Sequence, residues 1–323
     1  MNAERKANEG PPVVVVTGPT ATGKTGLAID LCQRFGGEIV NADSMQVYRY
    51  MDIGSAKPSP EERARAPHHL LDVVTPDVEY SAGRYAQEAR EVAASIHARG
   101  GVVFLTGGTG LYIRAFLDGL VHAGGADPEL RERLEREQGE AAAAGDHGWL
   151  HRKLAAIDEE AASRIHPNDE RRLIRALEIR SRVGELASVV RERHGFSDRP
   201  YRVLHLALEI DKPELDERID RRCEAMIEAG LLREVRALRD RGYGAALRPM
   251  RAIGYRHLNP VVDGEDTLAN ALEAMQRDTR RFAKRQRTWL RTVSEAVHVD
   301  PQDLAAISER VETFLHTGGA EVG

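Results

Sequence analysis

The feature that most constrains the fold is a run of four valines followed at once by a glycine-rich loop. Residues 13–16 read VVVV, and residues 18–25 read GPTATGKT. The valine run is short, β-branched and continuous, which is typical of a parallel strand buried on both faces. The loop matches the phosphate-binding pattern G-x-x-x-x-G-K-[ST], and a helix is predicted behind it at about 24–35. This order of strand, loop and helix predicts a phosphate site on a parallel sheet.

Each part of the loop has a predicted task. The glycines allow backbone N–H groups to converge on phosphate oxygens at the start of the helix, where the dipole favours negative charge. Lys24 adds a positive charge, and the Thr25 hydroxyl is suited to ligating Mg²⁺. The residues predicted to bind phosphate are Gly18, Pro19, Thr20, Ala21, Thr22, Gly23, Lys24 and Thr25.

Strands and helices alternate on both sides of a purely helical stretch. Further short strands are predicted at 37–44, 68–74, 101–110, 201–210 and 296–300, and longer helices at about 81–99, 211–241 and 267–292. Helical patterns without a convincing strand fill residues 127–194. The fold class predicted is α/β, a P-loop NTPase-like parallel sheet with an inserted all-helical domain. We place the core at 12–120 and 201–310, the insertion at 121–200, and flexible tails at 1–11 and 311–323.

A carboxylate is missing where nucleotide hydrolases usually have one. The strand VVFLT is followed by Gly107-Gly108, whereas P-loop ATPases and GTPases carry an Asp there that helps to hold the metal. Asp43 instead follows the second strand, and it should face the same crevice as Lys24 because parallel strands end at one edge of the sheet. There Asp43 could hold Mg²⁺ through water or accept a proton from a nucleophile. Capping a helix is the structural alternative.

The charge of the chain is unevenly distributed. The formal net charge is −5, yet residues 171–182 hold five arginines and one glutamate, and residues 277–291 hold seven basic residues and one aspartate. Such concentrations of positive charge indicate binding of a polyanion. In the second stretch Phe282 and Trp289 share one helix face, which predicts an anchored side and a basic side.

Cysteine content and hydropathy exclude other classes. Cys32 and Cys223 are too few for a disulfide framework, and both are predicted to be small buried apolar residues. No apolar stretch reaches the ~18 residues of a membrane-spanning helix, and the first residues lack the apolar segment of a signal peptide. We therefore expect a cytoplasmic protein without a membrane partner.

Seven motifs in order resemble the tRNA dimethylallyltransferase (tRNA isopentenyltransferase) family over nearly the whole chain. They are GPTATGKT, NADSMQVYRYMDIGSAKP (41–58), PHHLLDV (67–73), GGTGLY (107–112), RIHPND (164–169), MRAIGYR (250–256) and AKRQRTWLR (283–291). Thr22 and Ser55 stand where Ser and Thr are commoner, which leaves the chemistry unchanged. The sequence has no counterpart of the Cys/His zinc module of eukaryotic relatives, which implies a bacterial-type enzyme.

The resemblance implies a specific reaction. A dimethylallyl group would pass from dimethylallyl diphosphate to the exocyclic amino group of the adenine 3′-adjacent to the anticodon, in tRNAs that read codons beginning with U, with release of diphosphate. The loop would hold diphosphate rather than ATP, with Mg²⁺ as cofactor. Lys24, Thr25 and Asp43 would be catalytic, with Asp43 as the general base. Arg218 and Arg222, four residues apart on one helix face, would reach the diphosphate, with helix salt bridges as their alternative.

The partner implied is the anticodon stem-loop of tRNA, whose adenine must swing out of its stack to react. The helical insertion would grip the anticodon stem, and we expect the protein to be a monomer. The Gln46 amide suits an adenine edge, with a surface glutamine as the alternative. The residues implied to lie along the tRNA are Asp43, Ser44, Met45, Gln46, Thr109, Arg131, Arg171, Arg172, Arg175, Arg251, Gly254, Tyr255, Arg256, Lys284, Arg285, Gln286, Trp289 and Arg291.

Three other functions share parts of this pattern. A P-loop small-molecule kinase would share the loop but offers no role for the two basic stretches. An RNA-binding regulator with a vestigial loop would not need Lys24, Thr25 and Asp43. An adenylate isopentenyltransferase acting on free nucleotide would need neither the helical insertion nor AKRQRTWLR.

Overall fold

The core of the chain is a sheet of six parallel strands, taken over the residues that our computed structural model describes, which are 10–120, 127–194 and 199–317. The strands are β1 (Pro12–Thr17), β2 (Gly37–Asn41), β3 (His68–His69), β4 (Val102–Thr106), β5 (Arg202–Leu208) and β6 (Ala296–Val299). Their order in the sheet is β3-β2-β4-β1-β5-β6. The α/β class with a parallel sheet is confirmed.

The helices fall into two compact units of the chain. One unit comprises Met1–Asp118 and Arg199–Gly323, and the other Gly119–Asp198. In chain order the helices are α1 (Lys24–Phe35), α2 (Pro60–Arg65), α3 (Ala82–Ala98), α4 (Gly110–Asp118), α5 (Pro128–Ala143), α6 (Trp149–Ala155), α7 (Glu159–Ser163), α8 (Glu170–Val183), α9 (Ala187–His194), α10 (Lys212–Glu228), α11 (Leu231–Asp240), α12 (Tyr255–Asp263), α13 (Leu268–Leu290) and α14 (Leu304–His316). None of these helices is both long and apolar enough to cross a membrane.

Strand β1 lies inside the sheet, which explains its uninterrupted valines. It pairs with β4 on one side and β5 on the other, so that Val13 faces both Val103 and Val203. Successive side chains of a strand point to opposite faces. Val13 and Val15 accordingly pack in one apolar cluster, and Val14 and Val16 in another. All four are fully buried, and such burial stabilises the fold by about 1.5–3 kcal/mol per side chain.

The third strand is shorter than the sequence predicts. The strand expected at 68–74 is limited to His68–His69, and Val74 forms an isolated bridge with Tyr48. Leu70 and Asp72 adopt positive φ angles of 61° and 56°, which a regular strand excludes. The Asp72 carboxylate accepts hydrogen bonds from Lys57 and Arg63, so its partners lie outside the sheet.

The unit Gly119–Asp198 is helical and has its own apolar core. Its buried apolar residues include five leucines, namely Leu134, Leu150, Leu154, Leu173 and Leu177. Three of its helices begin at an aspartate whose side chain accepts a backbone N–H, which is a strong start signal for a helix. Among its described residues no strand interrupts the helices.

The predicted tail at the C-terminal end needs a correction. Helix α14 continues through residues 311–316, so a flexible tail from 311 onward is wrong for this part. Val311 is fully buried in the cluster that also contains Ile307 and Leu206. Ile307, Val311 and Phe314 follow a helical spacing, which places them on one apolar face. Pro11, in the tail predicted at 1–11, is bound to β5, because its carbonyl oxygen accepts the Arg202 N–H at 3.2 Å. The predicted tail residues 1–9 and 318–323 lie outside the described residues.

Candidate active site

The ends of three strands meet at one cavity of about 490 Å³. The glycine-rich loop follows β1, Asp43 follows β2, and Thr106 ends β4. Arg222 of helix α10 also lines it, as do Lys57 and Glu62. The expectation that Asp43 faces the same crevice as Lys24 is therefore met by the structure, because both side chains line this cavity.

The loop is held in place by its own side chains. Thr22 is fully buried, and its hydroxyl donates to the Pro19 carbonyl oxygen at 2.9 Å. Lys24 Nζ donates to the same oxygen at 2.6 Å. The Thr22 side chain thus braces the loop, and Lys24 can exchange the Pro19 carbonyl for a bound anion. The loop residues that line the cavity are Thr20, Ala21, Gly23, Lys24 and Thr25.

The Asp43 carboxylate is held by a tight turn. Its Oδ1 accepts the Met45 N–H at 2.8 Å. Asn41 brackets the same residue, because its Oδ1 accepts the Asp43 N–H at 3.2 Å. On the other side of the turn the Thr109 hydroxyl oxygen accepts the Ser44 N–H at 3.0 Å. Asp43 is therefore a turn former, and its carboxylate also reaches the cavity.

The charges in the cavity perturb one another. Burial lowers the pKa of Lys24 to about 7, and the Arg222 guanidinium adds to this effect, while Asp43 opposes it. Burial raises the pKa of Asp43, and the Met45 N–H, Lys24 and Arg222 limit the rise. Burial also lowers the pKa of Arg222. Two cations in one poorly solvated cavity create a site that favours an anion.

A second cavity of about 300 Å³ adjoins the first. Six residues line both cavities, namely Thr20, Asp43, Ser55, Arg222, Met226 and Phe282. The second cavity is also lined by Thr109 and by the side chains of Arg251, Arg256 and Arg285. Asp43 and Arg222 thus lie between a phosphate loop and a basic opening.

The cavity wall offers ligands for a hard cation. Thr25 brings a hydroxyl and Asp43 a carboxylate to it, and Mg²⁺ prefers such oxygen donors. Within residues 10–120, 127–194 and 199–317 no group of three or more His, Cys, Asp or Glu side chains forms a metal site. This donor set fits a Mg²⁺ ion that takes most of its ligands from phosphate oxygens and water.

The chain is similar to known proteins in sequence and in structure. The family model described as IPP transferase matches residues 46–293. A tRNA dimethylallyltransferase of Desulfosudis oleivorans is 47% identical over 311 residues, which are 95% of this chain and 97% of the relative. The chain belongs to the IPP transferase family.

Solved structures of the same family resemble this fold. A tRNA isopentenylpyrophosphate transferase of Bacillus halodurans is 36% identical with a TM-score of 0.69, covering 96% of this chain and 98% of that one. A eukaryotic dimethylallyltransferase described as acting on tRNA is 28% identical with a TM-score of 0.76, covering 91% of this chain and 75% of that one. The P-loop NTPase-like fold predicted for the chain is thereby confirmed.

Many of the basic residues predicted to lie along the tRNA are exposed. They are Arg171, Arg172, Arg251, Arg256, Lys284, Arg285 and Arg291. Arg256 forms an ion pair with Asp278 at 2.7 Å, and Arg172 one with Asp169 at 3.3 Å. The side chains of Ser44, Met45 and Thr109 line the second cavity.

Four residues predicted to contact tRNA are buried or partly buried. Gln286 and Tyr255 are 7% and 1% exposed, and the backbone of Gly254 is buried beside Tyr255. The Tyr255 hydroxyl donates to Glu234. Trp289 is partly buried against the main core, and a Cβ at Gly110 would overlap its ring. The Tyr255 side chain is therefore corrected to internal packing, and Gln286 packs beside the phosphate-loop cavity, which it lines. The tRNA contacts predicted for Gly254 and Trp289 stay predictions.

Three further predicted arginines have acidic partners. Arg131 binds the buried carboxylate of Glu178 through two hydrogen bonds of 2.6 and 2.9 Å, and Arg175 reaches the same carboxylate at 3.3 Å. These contacts give both arginines a structural task in the helical unit, since a buried carboxylate needs partners. Arg218 pairs with Glu214 at 2.6 Å and is absent from the lining of both cavities, unlike Arg222.

The Gln46 amide is oriented by a neighbouring loop. Its Nε2 donates to the carbonyl oxygens of Ser55 and Ala56, at 3.2 and 3.1 Å. Gln46 therefore lines the cavity with its amide nitrogen already engaged.

Glu234 was not predicted from the sequence as a residue of the site, although it binds the loop at residues 52–56 that orients Gln46. Its carboxylate accepts three successive backbone N–H groups, from Asp52, Ile53 and Gly54, at 2.9, 2.7 and 3.1 Å. It also accepts the Tyr255 hydroxyl at 2.7 Å. No local sequence signal marks Glu234, because its partners are backbone groups about 180 residues away along the chain.

Proposed function

We propose that the protein transfers a dimethylallyl group from dimethylallyl diphosphate to the exocyclic amino group of a tRNA adenine. The observation that carries the proposal is the position of Asp43 and Arg222, which line both the phosphate-loop cavity and the basic cavity next to it. The names of the similar proteins support the same reaction.

The phosphate-loop cavity suits a diphosphate leaving group. Backbone N–H groups of the loop, Lys24 and Arg222 supply positive potential where charge develops as the allylic carbon–oxygen bond breaks. No carboxylate follows β4, where Thr106, Gly107 and Gly108 line the cavity. A hydrolase would use an acid there, whereas a prenyl transfer needs none.

Asp43 suits the role of general base. As the amino nitrogen of adenine forms its bond to the allylic carbon, the electrons of the carbon–oxygen bond leave with the diphosphate. The proton of the amino group passes to the Asp43 carboxylate. Burial raises the pKa of Asp43, which makes the carboxylate a stronger proton acceptor than an exposed one.

Mg²⁺ would be held by Thr25 and by diphosphate oxygens. When bound, it would neutralise part of the diphosphate charge. Thr25 lines the same cavity as Lys24, which supports this proposal.

The acceptor is proposed to enter from the basic side. Arg251, Arg256 and Arg285 line the second cavity. The phosphate groups of a polyanion that approaches there would find these arginines as partners. We propose the adenine 3′-adjacent to the anticodon as the target, in tRNAs that read codons beginning with U. The cost of swinging this base out of its stack, a few kcal/mol, would be offset by such contacts.

One labelling experiment separates this function from its alternatives. Labelled dimethylallyl diphosphate is incubated with the protein and either tRNA, AMP or the same tRNA with that adenine replaced by guanine. The proposal predicts label only in the tRNA that retains this adenine. Label in AMP would instead indicate the free-nucleotide enzyme. Transfer of phosphate from γ-labelled ATP to a small molecule would indicate a kinase, and no transfer at all a regulator.

A further inference from the structure

Gln286 joins two loops of the active site through one side chain. Its Oε1 accepts the Thr20 N–H of the phosphate loop at 2.9 Å. Its Nε2 donates to the Gly108 carbonyl oxygen, in the turn after β4, at 3.1 Å. The side chain is almost completely buried, so both polar ends depend on these partners.

The packing around this contact is close. A Cβ at Gly108 would overlap the Gln286 amide nitrogen, and a Cβ at Gly110 would overlap the Trp289 ring. Helix α13 therefore lies directly against the turn after β4, where these two glycines leave room for its side chains. The opposite side of the same helix exposes Lys284 and Arg285.

The turn at Gly108 leads directly to Asp43. Thr109, the next residue, donates its N–H to the Ala42 carbonyl oxygen at 3.1 Å. Its hydroxyl oxygen accepts the Ser44 N–H. Gln286 is thus bonded to the loop that carries Lys24 and, through Thr109, to the turn that carries Asp43.

We propose that Gln286 is a positioning residue, which sets the distance between the phosphate loop and the Asp43 turn and connects both to helix α13. The inference rests on the proposed function, in which diphosphate and adenine must meet in a defined geometry. A misplacement of about 1 Å can cost a hundredfold in rate. An amide suits the task because it offers an acceptor to Thr20 and a donor to Gly108 at once.

Two variants disturb the contact from opposite sides. Gln286→Met keeps the length of the side chain and removes both hydrogen bonds. Gly108→Ala leaves Gln286 in the chain and displaces its amide, and the Gly108 backbone does not have the positive φ that would exclude alanine. Gln276→Met is the matched control, because Gln276 lies on the same helix and its amide donates to Glu224 instead. Thermal melting of each variant establishes the folded fraction.

Five quantities are measured on the whole protein: the Kd of inorganic pyrophosphate, the Kd of tRNA, kcat, and the KM of each of the two substrates. For Gln286→Met and for Gly108→Ala we expect the pyrophosphate Kd to rise about tenfold. We expect kcat to fall about a hundredfold, with tRNA Kd unchanged. The double variant should be no worse than the single ones, because both substitutions disrupt the hydrogen bonds of the same Gln286 side chain. Gln276→Met should match the wild type in every quantity.

Other outcomes would overturn the proposal. A rise in tRNA Kd with normal pyrophosphate binding would return Gln286 to a tRNA contact. A lower melting temperature with normal pyrophosphate binding and kinetics would leave it a packing residue, and fully additive losses in the double variant would separate the two positions. Wild-type protein that labels no tRNA would contradict the proposed function instead, and the pyrophosphate measurements alone would then decide the role of Gln286.

Discussion

Lys24 and Asp43 follow two different strands of the sheet, and their opposite charges interact within one cavity. Strand β4 lies between β1 and β2, so the two residues reach the cavity from strands that are not neighbours. Arg222 adds a second cation from helix α10. An anion bound here would be held by two cations, next to a carboxylate able to take a proton.

The affinity for pyrophosphate should depend on the charge of Lys24. The pKa of Lys24 in the free protein is lowered to about 7, and a bound anion raises it again. Below about pH 7 Lys24 is already charged, whereas above it binding must restore the proton. Affinity should therefore fall as pH rises through this range, by up to about tenfold per pH unit.

Calorimetric titration of wild type and Lys24→Met from pH 6 to pH 9, a range of about three units around that pKa, tests this dependence. Lys24→Met should bind more weakly and lose the Lys24 part of the pH dependence, while the titration of pyrophosphate itself is common to both proteins. Its turnover should fall by about a hundredfold or more. An equal pH slope in the two proteins would remove Lys24 from the binding site.

Two arginines on one helix should behave differently. Arg222 lines both cavities, whereas Arg218 pairs with Glu214. Arg222→Met should weaken pyrophosphate binding about ten- to a hundredfold, the usual effect of losing a hydrogen bond to a charged group. Arg218→Met is the matched control and should bind normally. Equal losses at the two positions would show that both reach the diphosphate.

The basic side of α13 should contribute to tRNA binding by counterion release. Lys284→Ala and Arg291→Ala should each make the slope of log affinity against log salt less steep by about 0.9. Arg287 lies 3.8 Å from Glu209, so Arg287→Ala should change the slope less. Filter binding at several salt concentrations measures the slopes, with Lys212→Ala as an exposed control outside this helix. Slopes identical to that of the wild type would mean that this side is merely solvated.

Glu234 should stabilise the loop that orients Gln46. Glu234→Ala leaves the N–H groups of Asp52, Ile53 and Gly54 and the Tyr255 hydroxyl without their acceptor. The free energy of unfolding should fall by about 2–4 kcal/mol, whereas Tyr255→Phe, which removes one of the four bonds, should cost about 1 kcal/mol. Urea denaturation compares the two variants. A Glu234→Ala protein as stable as Tyr255→Phe would contradict this role.

The sequence predicted the sheet and the phosphate site because their signals are local. The continuous valines of β1 and the loop that follows them identify a buried strand and a phosphate site within fourteen residues, from Pro12 to Thr25. Asp43 could be placed in the same cavity from one rule about parallel strands, without any distance information. The end of β3 could not be predicted, because no local pattern marks the positive φ angles of Leu70 and Asp72 or the contact of Asp72 with Lys57, 15 residues away along the chain.

The inward-facing residues of α13 were predicted less well, although a signal was available. Gln286 stands seven residues after Thr279 and three after Ala283, and all three are buried on one helix face. Its basic neighbours suggested a polar surface, but helical spacing indicates the core. Helical spacing could not distinguish Arg218 from Arg222, because both lie on the same helix face. The spacing does not show which of the two arginines reaches the cavity.

The most direct test of the account is the turnover of Asp43→Asn across a Mg²⁺ titration. Asparagine can still accept the Met45 N–H, so the turn and the fold should persist. If Asp43 is the base, the variant binds tRNA normally and stays slow by about a hundred- to ten-thousandfold at every Mg²⁺ concentration. If Asp43 is chiefly a metal ligand, high Mg²⁺ overcomes the weakened ligation by mass action. Recovery of the rate at high Mg²⁺, or near-normal turnover throughout, would contradict the account.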